Sequence, residues 1–72
     1  MKIGDVVYLN SNPEQTMTVA FVLGEDDADS NTKYTQQTMR IHGYADGDVQ
    51  CKWPNGSETK AEFFKAAMLT KK

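Results

Sequence analysis

Cys51 and His42 have the greatest intrinsic reactivity in this 72-residue chain, and each residue type occurs once. A thiol becomes a nucleophile when a nearby cation or imidazole lowers its pKa, and His42 is the only imidazole available. The residue pattern argues against such a pairing. In Val49-Gln-Cys-Lys-Trp53, alternation puts Cys51 on one face with Val49 and Trp53, the core side of a strand. In Thr38-Met-Arg-Ile-His-Gly-Tyr44, it puts Met39 and Ile41 on one face and Arg40, His42 and Tyr44 on the other. That predicts a third strand, starting near Tyr34, with His42 exposed. Cys51 is expected to be a buried structural thiol, no catalytic residue is assigned, and the chain is expected not to be an enzyme.

Metal and phosphate chemistry find no better footing. Asp26, Asp27, Asp29 and Asn31 bring oxygen ligands close together, but a calcium loop starting at Asp27 needs Gly at its sixth position and Glu at its twelfth. Those positions hold Thr32 and Thr38. One Cys and one His are too few for a structural zinc site, and Asp46 and Asp48 flank Gly47 as turn composition. There is no Gly-rich phosphate loop and no Ser/His/Asp arrangement, so no metal or cofactor is expected. Binding chemistry rests on aromatic side chains. Trp53 shares the parity of Val49 and Cys51 and reads as core, whereas Tyr8 and Tyr44 fall opposite Leu9 and Ile41 and are the candidate surface binding residues.

The elements that would position these residues follow from period-two alternation. A first strand is expected over Lys2-Ile-Gly-Asp-Val-Val-Tyr-Leu9, with Val7 and Leu9 inward and Gly4-Asp5 shaping its entry. Asn10-Ser-Asn-Pro-Glu-Gln15 is turn chemistry. It leads to Thr16-Met-Thr-Val-Ala-Phe-Val-Leu23, where Met17, Val19, Phe21 and Leu23 alternate with Thr16, Thr18, Ala20 and Val22. The acidic stretch at about 24–33 is expected to be an exposed mobile loop. Asp46-Gly47 and Pro54-Asn55-Gly56 are turn signals on either side of Val49–Trp53. After the second, the helix formers of Thr59–Leu69, with Thr59 and Glu62 as a capping box, fit one helix, but the need for a hairpin partner to Val49–Trp53 sets against it a strand from about Ser57 to Glu62 followed by a helical turn around Phe64–Met68. Phe63, Met68 and Leu69 would then close one end of the core. About five short strands and a C-terminal helical turn predict a mainly β domain, a small SH3-like barrel, because closing a sheet protects its edges.

Length and charge narrow the partners. A single core of this size supplies only about 3–5 kcal/mol, and such chains lean on disulfides, metals or self-association. With one cysteine and no zinc set, only self-association stays open, and an exposed strand edge is where it would occur. Eight Lys+Arg against ten Asp+Glu give a net charge of −2, the wrong sign for an electrostatic nucleic-acid binder. No apolar run is long enough to span a membrane, and the lone thiol without an export signal makes the cytoplasm the expected location.

Several pieces together resemble the YodC-like family of small bacterial proteins of unknown function. They are Gly4-Asp5-Val6-Val7 with Leu9, Ser11 and Pro13, Met17-Thr18-Val19, Val49-Gln-Cys51-Lys-Trp53, Asn55-Gly56 and Phe63, in the family's order over nearly the whole chain. The chain departs from the family in a longer Gly24–Gly47 segment and in Pro54, where an aromatic is usual. The resemblance implies a compact β fold and no assigned activity. The leading expectation for function is a non-catalytic interaction module that binds an unidentified protein or peptide across an aromatic face or an open sheet edge. The alternative is a nucleic-acid-associated SH3-like domain, since the Gly-Asp-x-Val opening also resembles such modules.

Overall fold

The computed structural model describes residues 1–24 and 30–72, with residues 30–32 described by their backbone alone. Strands β1 (Val6–Leu9), β2 (Asn12–Val22), β3 (Val49–Asn55), β4 (Glu58–Phe64) and β5 (Leu69–Lys71) form one antiparallel sheet in the order β4-β3-β2-β1-β5. Helix α1 (Ser30–Ile41) lies between β2 and β3, and a 3-10 turn (Ala66–Met68) precedes β5. The registers explain how one sheet encloses a core. Met17 and Thr18 of β2 pair with Val7 and Val6 of β1, whereas Thr18 to Val22 pair with β3. The long strand therefore serves two half-sheets, β5-β1-β2 and β2-β3-β4, which curl into the small SH3-like arrangement that the alternation predicted.

The inner face carries Val7, Met17, Val19, Val22, Val49, Cys51 and Leu69, with Leu9, Trp53 and Phe64 packed at its margin. Cross-strand pairs Val7–Met17, Val19–Cys51, Val22–Val49 and Leu9–Leu69 bring these side chains face to face, which is how a sheet turns alternation into burial. One irregularity in β2 matters more than any other. The register shifts between Val19 and Phe21, so Val19 and Val22 both point inward while Phe21 turns to the outer face. There it joins Leu23 and Met39 in a second buried cluster, with Tyr44 and Phe63 against it.

Several expectations are corrected by this arrangement. The segment Thr38–Tyr44 is not a strand. Residues 30–41 are helical, and a helix separates Met39, fully buried, from Ile41, 83 % exposed, although strict alternation put them together. Four residues of alternation cannot tell the two periods apart. The fifth strand is Leu69–Lys71, of which only Leu69 is expected to reach the core, as part of the group closing one end of it. Of that expected group, Leu69 is buried and Phe63 half-buried, but Met68 is 46 % exposed at the end of the 3-10 turn. The turn before β2 is only Asn10–Ser11, with Pro13–Gln15 bulged out of an already extended strand, because Leu9 pairs with Asn12 and Tyr8 with Thr16. The first strand begins at Val6, preceded by a turn at Gly4 with φ +93°. Of the expected acidic loop at about 24–33, residues 25–29 lie outside the described residues and Ser30 onward is helix.

Candidate functional site

Cys51 is 0 % exposed opposite Val19, and burial pushes its thiol up to about 11. At neutral pH it is a protonated, shielded thiol and a poor nucleophile. His42 follows the last residue of α1, donates its backbone N–H to Thr38 O at 3.1 Å and is exposed. Its exposure matches the expectation, although a helix and not strand parity is the reason. Asp26, Asp27 and Asp29 lie outside the described residues, and among the described residues no three His, Cys, Asp or Glu side chains group as a metal site.

Tyr44 is placed by the connection from α1 to β3 and is half-buried. Its hydroxyl donates to Phe63 O at 3.2 Å, and its ring meets the Phe63 ring edge-on at 5.7 Å. Lys65 sits over the same ring, 5.0 Å from its centroid, and donates to Gly43 O at 2.9 Å. The Lys65 ammonium also lies 3.5 Å from Asp48. Asp48, 8 % exposed, accepts hydrogen bonds from the N–H of Ala45 at 2.9 Å and of Ala66 at 3.0 Å. Burial pushes its carboxyl up, but those two backbone donors and the Lys65 charge outweigh it and hold the pKa below 3.8. Asp48 is therefore a latch between the turn that ends the α1 connection and the 3-10 turn before β5. Reading it as turn composition missed this second partner, because Ala66 is distant in sequence. The neighbouring Asp46 pairs with Arg40 at 2.9 Å in the open, where an ion pair contributes little.

Tyr8 stands on the outer face of β1, half-buried between Thr16 of β2 and Thr70 of β5. Tyr44 instead lies in the connection from α1 to β3 and packs on Phe63 of β4, the strand at the other end of the sheet order from the β1–β5 pair, so no contact joins the two candidate binding residues. Trp53, expected in the core, is half-buried at its rim with its ring 6.2 Å from that of Phe64.

A different binding feature emerges at the end of the sheet. Asn55 pairs with Glu58 across the two-residue turn Gly56–Ser57, with Gly56 at φ +66° as a tight hairpin of this kind requires. In an antiparallel ladder the hydrogen-bonded pairs alternate, so Glu58, Lys60, Glu62 and Phe64 direct their backbone groups to β3. Thr59, Ala61 and Phe63 direct theirs outward. The bond from Tyr44 to Phe63 O is independent support for that parity. Among the described residues, no strand pairs with this outer edge, and at its Phe63 end the Tyr44 hydroxyl occupies one lone pair of the carbonyl oxygen. The edge side chains are Glu58, Thr59, Lys60, Ala61 and Glu62, all exposed. No sequence pattern announced an open edge here, because strand order is a tertiary property.

Helix α1 leaves a second apolar feature outside. Tyr34 and Ile41, seven residues apart and so on one side of the helix, are 73 % and 83 % exposed, opposite the buried Met39. Among the described residues, no helix is long and apolar enough to cross a membrane. Comparison with known proteins brings no match to a family model, to a curated protein or to a solved structure.

Proposed function

We propose that this chain is a non-catalytic interaction module, acting in the cytoplasm, that binds an extended segment of polypeptide by strand addition at β4. The observation that carries this reading is the outward-facing backbone of Thr59 and Ala61 on a seven-residue edge strand. Main-chain donors and acceptors in a row recognise another strand, and the side chains between them select which one. The buried thiol supports the non-catalytic part of the reading, since the most reactive side chain is sealed in the core. Membership of the YodC-like family belongs to the same proposal. It is supported by Val7–Met17 and Val19–Cys51, motif residues that are cross-strand partners in one core.

A displayed library of random peptides tests the binding mode, selected against the wild-type chain and counter-selected against Ala61→Pro. The Ala61 N–H points away from β3, so proline there removes an edge donor without breaking the hairpin ladder. Strand-forming peptides that bind the wild type and not the proline variant are expected. Recovery of peptides indifferent to the proline, or of no peptide from a chain kept dilute enough to be monomeric, sinks the reading. Steeply salt-dependent binding of single-stranded RNA, unaffected by Ala61→Pro, would replace it with a nucleic-acid role.

A further inference from the structure

We infer that the segment which fits the β4 edge is β4 of a second copy of this chain, paired antiparallel about a two-fold axis through Ala61. The inference rests on the strand-addition reading above and names its occupant. Two copies of β4 can meet only with outward-facing residues opposite one another, which limits the registers to those pairing Thr59, Ala61 and Phe63 among themselves.

Charge chooses between them. The side chains between the bonding residues run Glu58, Lys60, Glu62, alternating in sign along one face. If Thr59 met Ala61 of the copy, Lys60 would face Lys60 and Glu58 would face Glu62, all repulsive. If Ala61 met Phe63, Glu62 would face Glu62. With Ala61 opposite Ala61, Lys60 faces Glu62 on both sides of the axis, giving two attractive pairs and no like-charge pair.

The same register is sterically open and satisfies the most backbone. Ala61 is the smallest side chain on the strand, so the two copies approach at the axis without a clash. Ala61 exchanges both bonds with its copy, and Thr59 on each side exchanges bonds with Phe63 on the other. Phe63 O already accepts from the Tyr44 hydroxyl and has a second lone pair for the Thr59 N–H. Registering Thr59 opposite Thr59 would also match Glu58 with Lys60, but it brings the turn residue Ser57 opposite Ala61 and loses the outer bonds. An isologous two-fold contact of this kind is self-limiting, because each copy has its β4 edge consumed. The net charge of −2 is small enough for two copies to approach.

Sedimentation equilibrium of the full chain, from micromolar to millimolar concentration, tests the assignment. The wild type is expected to be a dissociating dimer. Ala61→Pro and Thr59→Pro, each checked by circular dichroism for an intact fold, are expected to be monomeric throughout. Lys60→Glu turns both attractive pairs into repulsive ones and should weaken the dimer about tenfold. Combining Lys60→Glu with Glu62→Lys restores complementarity and should return the dimer to within about threefold of wild type. Both charge variants are at exposed positions, so they report on pairing even if the proline variants fail to fold. A monomeric wild type, a dimer that survives Ala61→Pro, or a double swap that stays weak overturns the inference. A monomeric wild type that still binds selected peptides in a proline-sensitive way leaves the edge reading standing and removes only the second copy as its occupant.

Discussion

The two buried clusters of this small protein lie on opposite faces of the same strands and are built by different rules. The inner core joins β1, β2, β3 and β5 through residues that meet their partners directly across the ladder. The outer cluster beneath α1 gathers Phe21, Leu23 and Met39, with Tyr44 and Phe63, and exists because a register shift turns Phe21 away from the core. The first cluster is a property of the sheet. The second requires a helix to be laid over the sheet and held there, and the Asp48–Lys65–Tyr44 group does the holding. A strand can thus serve two cores when its alternation is broken once, in the right place.

If the inner core carries the fold, Met17→Ala should have the largest effect. A buried Met→Ala change costs about 2–5 kcal/mol, comparable with everything a domain of this size has. Urea unfolding followed by circular dichroism should find the variant largely unfolded in the absence of denaturant, and a cooperative transition near that of wild type would show the core elsewhere. Met39→Ala removes a fully buried side chain too, but its cost is limited by the free energy of undocking α1 from a sheet that persists. A loss of at most about 2 kcal/mol is expected, with helical signal lost before sheet signal. A single transition weakened as much as by Met17→Ala would merge the two regions into one.

Asp48→Asn sharpens the comparison at their junction. The variant weakens the acceptor that serves the N–H groups of Ala45 and Ala66 and removes the charge facing Lys65, at a cost of about 1–3 kcal/mol. The sign of its pH dependence follows from the depressed pKa. Because the folded carboxyl lies below 3.8, its contribution is full above that value and is lost as pH falls through the folded pKa. Asp5 adds to the same acid sensitivity, its carboxyl lowered chiefly by the Lys2 backbone N–H and also by Lys71, against a smaller opposing effect of burial. Thermal unfolding between about pH 5 and pH 2 should therefore be less pH-dependent in Asp48→Asn than in wild type. An unchanged slope would mean that Asp48 is not ionised in the latch. The smallest effect belongs to Ile41→Ser. It removes an 83 % exposed side chain on the outer side of α1 and should alter stability by less than about 0.5 kcal/mol in the same unfolding assay.

Where the chain keeps a regular period, its structure was legible. Val7, Met17, Val19, Val49 and Cys51 are all buried as their alternation requires, and the turn at Gly47 stands where Asp-Gly puts it, whereas the second hairpin turn falls on Gly56–Ser57, one residue past the expected Asn55-Gly56, with Pro54 and Asn55 still in β3. Reading failed where a local irregularity or a change of period intervened. Ala20 carries no mark of the register shift beside it, so alternation groups Val22 with Thr16, Thr18 and Ala20, yet it is buried at 5 % exposure with Val19. Thr38–Tyr44 has too few residues to separate a strand from the end of a helix. The candidate site was less legible still. Tyr8 and Tyr44 were found by parity as surface residues, yet Tyr44 is engaged with Phe63 and Lys65, and the β4 edge was not found at all.

Amino-acid order by itself determined the central parts of β1 to β4 and the apolar face of β1 and β3, because side-chain alternation and turn chemistry act over a few residues. It also determined that Cys51 is buried, since alternation puts it on the same face as Val49. Only the tertiary structure decided that β5 returns to β1, that Met39 of α1 packs with Phe21 and Leu23, and that β4 is left at the end of the sheet. Strand order depends on which distant segments bury each other's apolar surface best, and that competition is settled between elements. The charges of Glu58, Lys60 and Glu62 are plain in the chain, but only the strand order places them on the terminal strand of the sheet.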